Sequence, residues 1–246
     1  MHAGLVLAGA LPALVAMYYV DRLDAARPEP RWSLRKVAIA GGVATLPCIV
    51  VELFLARLAG PAGWGRVLYT SFVIAAAVEE LAKLLCLRWF IWRAPEFDER
   101  MDGIVYATRA ALGFALVENV LYLAQAQSTG GLVGMYVGRA LFAVPGHAIW
   151  TGFMGYYAAR RRFDGVGPGI LGGYVVAVLL HGSYDASIFA AQLYAPAQPG
   201  IAGLLLLLGA ASIAIGAVAL RRRARVAVQL DDLAEARARV AMPLVG

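Results

Sequence analysis

The chain has 246 residues, 61% of them hydrophobic, against 15% charged, and a net charge of +6. Ordinary globular domains are about 45–50% apolar, so this length and composition fit one compact all-helical membrane domain and leave no room for a large soluble one. The basic balance does not point to nucleic acid, because the arginines sit in loops and in the C-terminal tail, where they act as topology signals.

Seven segments are apolar over roughly the 20 residues a spanning helix needs. In chain order they run from Ala3 to Val20, Val37 to Ala56, Val67 to Trp92, Ile104 to Gln127, Leu132 to Ala159, Gly169 to Ala191 and Gly200 to Leu220. The first lacks a basic leader and reads as a retained helix, not a cleaved signal peptide. Arg22, Arg27, Arg31, Arg35 and Lys36 follow the first span, Arg93 and Arg100 the third, Arg160 to Arg162 the fifth, and Arg221 to Arg223 with Arg225 the seventh. The intervening loops carry few basic residues or none. Positive-inside bias then places the N-terminus outside and the C-terminus in the cytoplasm. Residues 1–220 form a single membrane domain and 221–246 a basic tail, read either as a short amphipathic helix or as a frayed, solvated end.

Cys48 and Cys86 lie inside apolar stretches and read as small core residues, with neither a disulfide nor a zinc-knuckle spacing. Gly134 and Gly138, followed by Gly152 and Gly155, give the fifth span a small-residue pattern suited to close helix packing. Pro145 removes a backbone hydrogen bond and predicts a kink beside His147.

Four spans carry ionisable groups near their midpoints: Glu79, Glu80 and Lys83; Glu118 with Asn119; His147; and His181 with Asp185. A charge at the bilayer centre costs about 2.5–3.5 kcal/mol even on the lenient insertion scale, so such groups face one another or enclosed water. Lys83 lies one turn beyond both glutamates and reaches either. Since neighbouring helical residues point about 100° apart, one glutamate is held by Lys83 while the other turns to a second site; which does which is open. His181 and Asp185 share a helix face, so Asp185 either orients the imidazole or ligates a metal beside it. Taken singly, each group also reads as a structural pair. Alternating topology, however, puts all four at one depth, and converging carboxylates and imidazoles activate water, with the histidines or Asn119 as oxyanion donors. A proton- or ion-coupled transporter and a non-catalytic scaffold are the competing readings; no internal repeat supports the former.

The motifs carry a resemblance. Glu79-Glu80-Leu81-Ala82-Lys83 matches EExxK, Phe114 to Glu118 with Asn119 matches FxxxE followed by Asn, and His181 to Asp185 matches HxxxD. With the runs Met101 to Tyr106 and Pro145 to Gly152, they resemble the PrsW family of intramembrane proteases, relatives of the CAAX prenyl proteases, over roughly Thr70 to Ser187. The resemblance implies a multi-pass peptide hydrolase of the bacterial cytoplasmic membrane. Its substrates would be membrane-anchored proteins such as anti-sigma factors. By motif position it carries over Glu79, Glu80, Glu118, His181 and Asp185 as catalytic residues and matches His147 to a further family histidine. Lys83 and Asn119 support them.

The resemblance leaves the catalytic class open. The CAAX motifs read FxxxH and HxxxN where this chain has Glu118 and Asp185, and the added negative charge favours a cation or shared protons. His147, His181, Asp185 and a glutamate such as Glu118 offer a ligand set for zinc. The absence of HExxH, and Lys83 beside the acid pair, favour a glutamate-based mechanism without metal.

Overall fold

The computed structural model describes residues 3–241 and contains helices and no strand among them. Helices α1 (Ala3–Ala8) and α2 (Leu11–Leu23) precede α3 (Arg31–Ala56). The short α4 (Trp64–Leu68) runs through a π-helical stretch, Tyr69–Ala77, into α5 (Val78–Phe90). Helix α6 (Arg100–Ala124) is followed by α7 (Thr129–Gly138), a π-helical turn at Arg139–Ala143, and α8 (Val144–Asp164). Helices α9 (Gly169–Tyr194) and α10 (Pro199–Ala241) complete the fold.

Among the described residues five helical runs are long and apolar enough to cross a membrane: Arg31–Ala56, Arg100–Ala124, Thr129–Asp164, Gly169–Tyr194 and Pro199–Val240. The other two predicted spans fall short of that standard for identifiable reasons. The rod from Trp64 to Phe90 carries Arg66, Glu79, Glu80, Lys83 and Arg88. The N-terminal span is broken between Ala8 and Leu11, because Pro12 lies in the first turn of α2 and has no N–H for the preceding turn. The Gly9 carbonyl freed by the break accepts a hydrogen bond from Asn119 Nδ2 at 2.7 Å, as a backbone group away from water requires.

Helix α6 is the axis of the bundle. From Met101 to Ala115 every residue is buried, so it is enclosed on all sides. Glycine contacts make that possible. A Cβ on Gly155 of α8 would stand 1.9 Å from the Gly103 carbonyl oxygen, and one on Gly113 would stand 2.0 Å from that of Ala38 in α3. The pattern at Gly152 and Gly155 is therefore a packing seam, as expected. Gly134 and Gly138 are not part of it: a Cβ on either meets nothing within 4 Å. Gly155→Ala should destabilise the protein by about 1–3 kcal/mol, the usual cost of overpacking. Thermal unfolding in detergent would show a lowered midpoint, whereas Gly134→Ala should be neutral.

The tail departs from both expectations. Helix α10 runs unbroken for 43 residues. At 1.5 Å per residue that is about 65 Å, twice the roughly 30 Å hydrocarbon core of a bilayer, and the helix continues unbroken past the apolar stretch that ends at Leu220. No glycine or proline lies between Gly216 and Ala241, and the segment is rich in Ala, Leu and Arg, which are strong helix formers. Asp231 anchors it by accepting from the backbone N–H of Arg100 and Met101, each at 3.0 Å, at the start of α6.

Candidate active site

Each group flagged in the sequence reaches one buried cluster. Both sides of it follow a π-helical stretch: Tyr69–Ala77 precedes Glu79, and Arg139–Ala143 precedes Pro145 and His147. The second replaces a simple proline kink, since the turn ahead of Pro145 widens to i→i+5 bonding where the proline offers no donor.

Lys83 sits at the centre with its side chain fully buried. Its Nζ donates to Glu80 Oε1 at 2.8 Å and Glu79 Oε2 at 3.2 Å, and lies 2.9 Å from His147 Nδ1. It also lies 4.6 Å from the centroid of the Phe114 ring. Glu80 is the committed carboxylate, with no exposed surface. It accepts from Thr151 Oγ1 at 2.7 Å and meets His181 Nδ1 at 3.1 Å. Glu79 has fewer partners and lines two cavities. One, of about 720 Å³, is bordered by Glu52, Phe114, Glu118 and Tyr122. The other, of about 520 Å³, is bordered by Arg139, His147, Trp150, His181 and Asp185.

The two histidines are built alike. His147 Nε2 lies 2.9 Å from Glu118 Oε2, and His181 Nε2 lies 3.4 Å from Asp185 Oδ2. Each imidazole is thus backed by a carboxylate that fixes its orientation, and each turns Nδ1 inward. Trp150 stacks on His181 with centroids 4.1 Å apart and planes inclined by 14°. The rings of His147 and His181 stand edge to face at 5.2 Å.

Residues absent from the sequence reading complete the cluster. Arg139 Nη2 donates to Glu118 Oε2 at 2.7 Å, and its Nε donates to Asn119 Oδ1 at 2.5 Å. A lone arginine within the apolar run Leu132–Phe142 is the same signal that marks Glu118. Thr151 and Glu52 are the other two. Asn119, proposed as an oxyanion donor, instead bridges Arg139 and the Gly9 carbonyl.

The donor set suits a metal. Glu79, His147 and His181 each offer a ligand atom, all within 4.8 Å of one another, and two imidazoles with a carboxylate are a known zinc combination. This is not the set expected from sequence. Glu118 and Asp185 stand behind the histidines instead of beside them. Within the cluster five carboxylates, Glu52 among them, face two permanent cations, Lys83 and Arg139, and the remaining charge suits a divalent ion or protonated histidines.

Comparison with known proteins adds three findings. A family model described as "PrsW family intramembrane metalloprotease" matches residues 29–220. A Protease PrsW of Clostridioides difficile is 30% identical over 75% of this chain and 79% of its own length. A Protease PrsW of Bacillus subtilis is 32% identical over 74% and 81% respectively. No solved structure matches.

Proposed function

Given that this chain belongs to the PrsW family of intramembrane metalloproteases, and so is a membrane-embedded peptide hydrolase, we propose that its water-activating centre is Glu79 with His147 and His181. Family membership displaces the transporter and scaffold readings. The observation that carries the proposal is the convergence of these three side chains, from three helices, on ligand atoms within 4.8 Å, beside one cavity that all three border.

Each residue then has a role suited to its surroundings. Glu79 is the carboxylate with room for water; one of its oxygens would serve a metal, and the other accepts the water proton as the nucleophile attacks. Glu80, saturated by Lys83, Thr151 and His181, is a positioning residue. Lys83 keeps two adjacent carboxylates from repelling each other. His147 and His181, steered by Glu118 and Asp185, flank Glu79 and border the cavity in which the water and the scissile carbonyl oxygen would sit. Arg139 holds Glu118 in place. Glu79, His147 and His181 are the residues that would hold zinc, which when bound supplies a Lewis acid and lowers the pKa of coordinated water. The family description and the donor set together favour zinc over the metal-free alternative.

In the same reading the chain crosses the bacterial cytoplasmic membrane seven times, N-terminus outside and C-terminus in the cytoplasm. Residues 1–220 are then the protease domain and the end of α10 a cytoplasmic extension. The substrates are membrane-anchored proteins, anti-sigma factors among the candidates, whose peptide segment lies in the cavities between α3, α6 and α9.

The test is cleavage of a membrane-anchored peptide in proteoliposomes, with and without a chelator. The expected result is loss of cleavage on chelation, recovery on adding zinc, and no cleavage by His181→Ala under any condition. Chelator-resistant cleavage would return the mechanism to the glutamate-only form. Cleavage by His181→Ala equal to that of the native chain would remove the site assignment.

A further inference from the structure

At the other end of α6, remote in sequence from the EExxK and HxxxD motifs, Asp24, Glu29 and Asp102 bring three carboxylates together. They come from the α2–α3 loop and the first turn of α6, and each offers an oxygen within 4.8 Å of the others. Asp24 and Asp102 are 6% and 1% exposed. Among the described residues none of the three makes an ion pair. The neighbouring cations are committed elsewhere: Arg27 to Glu99 at 2.6 Å and Asp232 at 2.8 Å, and Arg100 to Asp164 at 2.5 Å and Asp231 at 2.9 Å.

The partners these acids do have leave lone pairs to spare. Asp102 Oδ2 accepts from the backbone N–H of Asp98 at 3.0 Å and of Glu99 at 2.6 Å, capping α6. Glu29 Oε2 accepts from the Tyr106 hydroxyl. Asp24 Oδ2 is buried and has no hydrogen-bond partner at all. A buried carboxylate oxygen without a donor is costly, and here it sits beside two further acids that repel it. This arrangement differs from a solvated acidic patch, in which water screens the charges and satisfies the oxygens.

We propose that Asp24, Glu29 and Asp102 form a binding site for a hard divalent cation, calcium or magnesium, distinct from the proposed catalytic centre. The ligands are all oxygens, as these ions require, whereas the catalytic set includes two imidazoles. Oxygens of one coordination shell stand at most about 4–5 Å apart, twice a metal–oxygen bond of about 2.1–2.5 Å, and this trio fits within that span. A bound cation would pin the α2–α3 loop to the start of α6, the helix that carries Glu118 from its other end.

The experiment uses the full chain in detergent micelles with terbium as a luminescent probe, excited through its aromatic side chains; Tyr106, bonded to Glu29, is the near donor. Sensitised terbium emission should appear and should be displaced by calcium or magnesium, whichever the site prefers. Tyr106→Phe should dim the emission without abolishing binding. Asp24→Asn and Glu29→Gln should each weaken binding at least about tenfold, a loss of about 1.4 kcal/mol. The preferred ion should also raise the unfolding temperature of the native chain but not of Asp24→Asn, which without cation should be the more stable of the two. The proposal falls if terbium binds Asp24→Asn and Glu29→Gln as tightly as the native chain. It falls equally if neither ion shifts the native unfolding temperature, since shared protons would then be balancing the acids.

Discussion

Glu79→Gln should abolish peptide cleavage, by about 10²–10⁴-fold as expected for loss of a general base, and leave the fold intact. Glutamine preserves the shape and can still accept from Lys83, but it cannot take a proton. Because Glu79 opens onto two cavities, the amide has space to settle. The neighbouring Glu80→Gln should behave differently. Glu80 has three partners, from Lys83, Thr151 and His181, and no exposed surface. An amide there can turn its N–H only towards the Thr151 hydroxyl, and its neutral oxygen bonds Lys83 and His181 more weakly than a carboxylate does, at a cost of about 1–3 kcal/mol. Unfolding midpoints and turnover, measured on both variants, would separate the roles: turnover lost with the midpoint kept for Glu79, and the midpoint lowered for Glu80.

The second large effect is on stability. Lys83→Met should destabilise the protein by about 3–5 kcal/mol, the cost of leaving a buried charge without its partner. Lys83 is the only cation that bonds Glu79 and Glu80 among the described residues, and its Nζ also faces His147 and the Phe114 ring. Removing it strands two buried carboxylates at adjacent positions. Denaturation in detergent should show the loss directly, and Lys83→Arg should recover only part of it, because the planar guanidinium does not reproduce a compact ammonium between three acceptors.

Much of this site was legible because the bilayer makes polar groups conspicuous. Glu79, Glu80, Lys83, Glu118, His147, His181 and Asp185 each break an apolar run, and all seven meet in one hydrogen-bonded cluster. What the sequence withheld is rotational and long-range. Adjacent glutamates differ by about 100° around a helix, and nothing local says that Glu80 faces Thr151, 71 positions away in the chain. The π-helical stretches before Glu79 and His147 shift that phase again, beyond the reach of a 3.6-residue pattern. For the same reason Glu118 and Asp185 read as candidate ligands from spacing alone but stand behind the histidines in space. Asn119 was legible as polar and buried, yet its partner, Gly9, is exposed by a helix break that Pro12 creates. Arg139 interrupts an apolar run as Glu118 does, but a single arginine there looks like the topology signals that arginines supply elsewhere in the chain. The unbroken α10 was masked by its change from apolar to charged residues at Arg221, which does not end the helix.

Hydrolysis in ¹⁸O-labelled water, read by mass spectrometry of the cleaved peptide, tests the central claim most directly. The native protein in proteoliposomes should yield a fragment whose new carboxyl terminus carries one ¹⁸O, and Glu79→Gln should yield no fragment. Intact peptide from the native protein, or equal labelled product from Glu79→Gln, would contradict the assignment of Glu79, His147 and His181 as the centre that activates water.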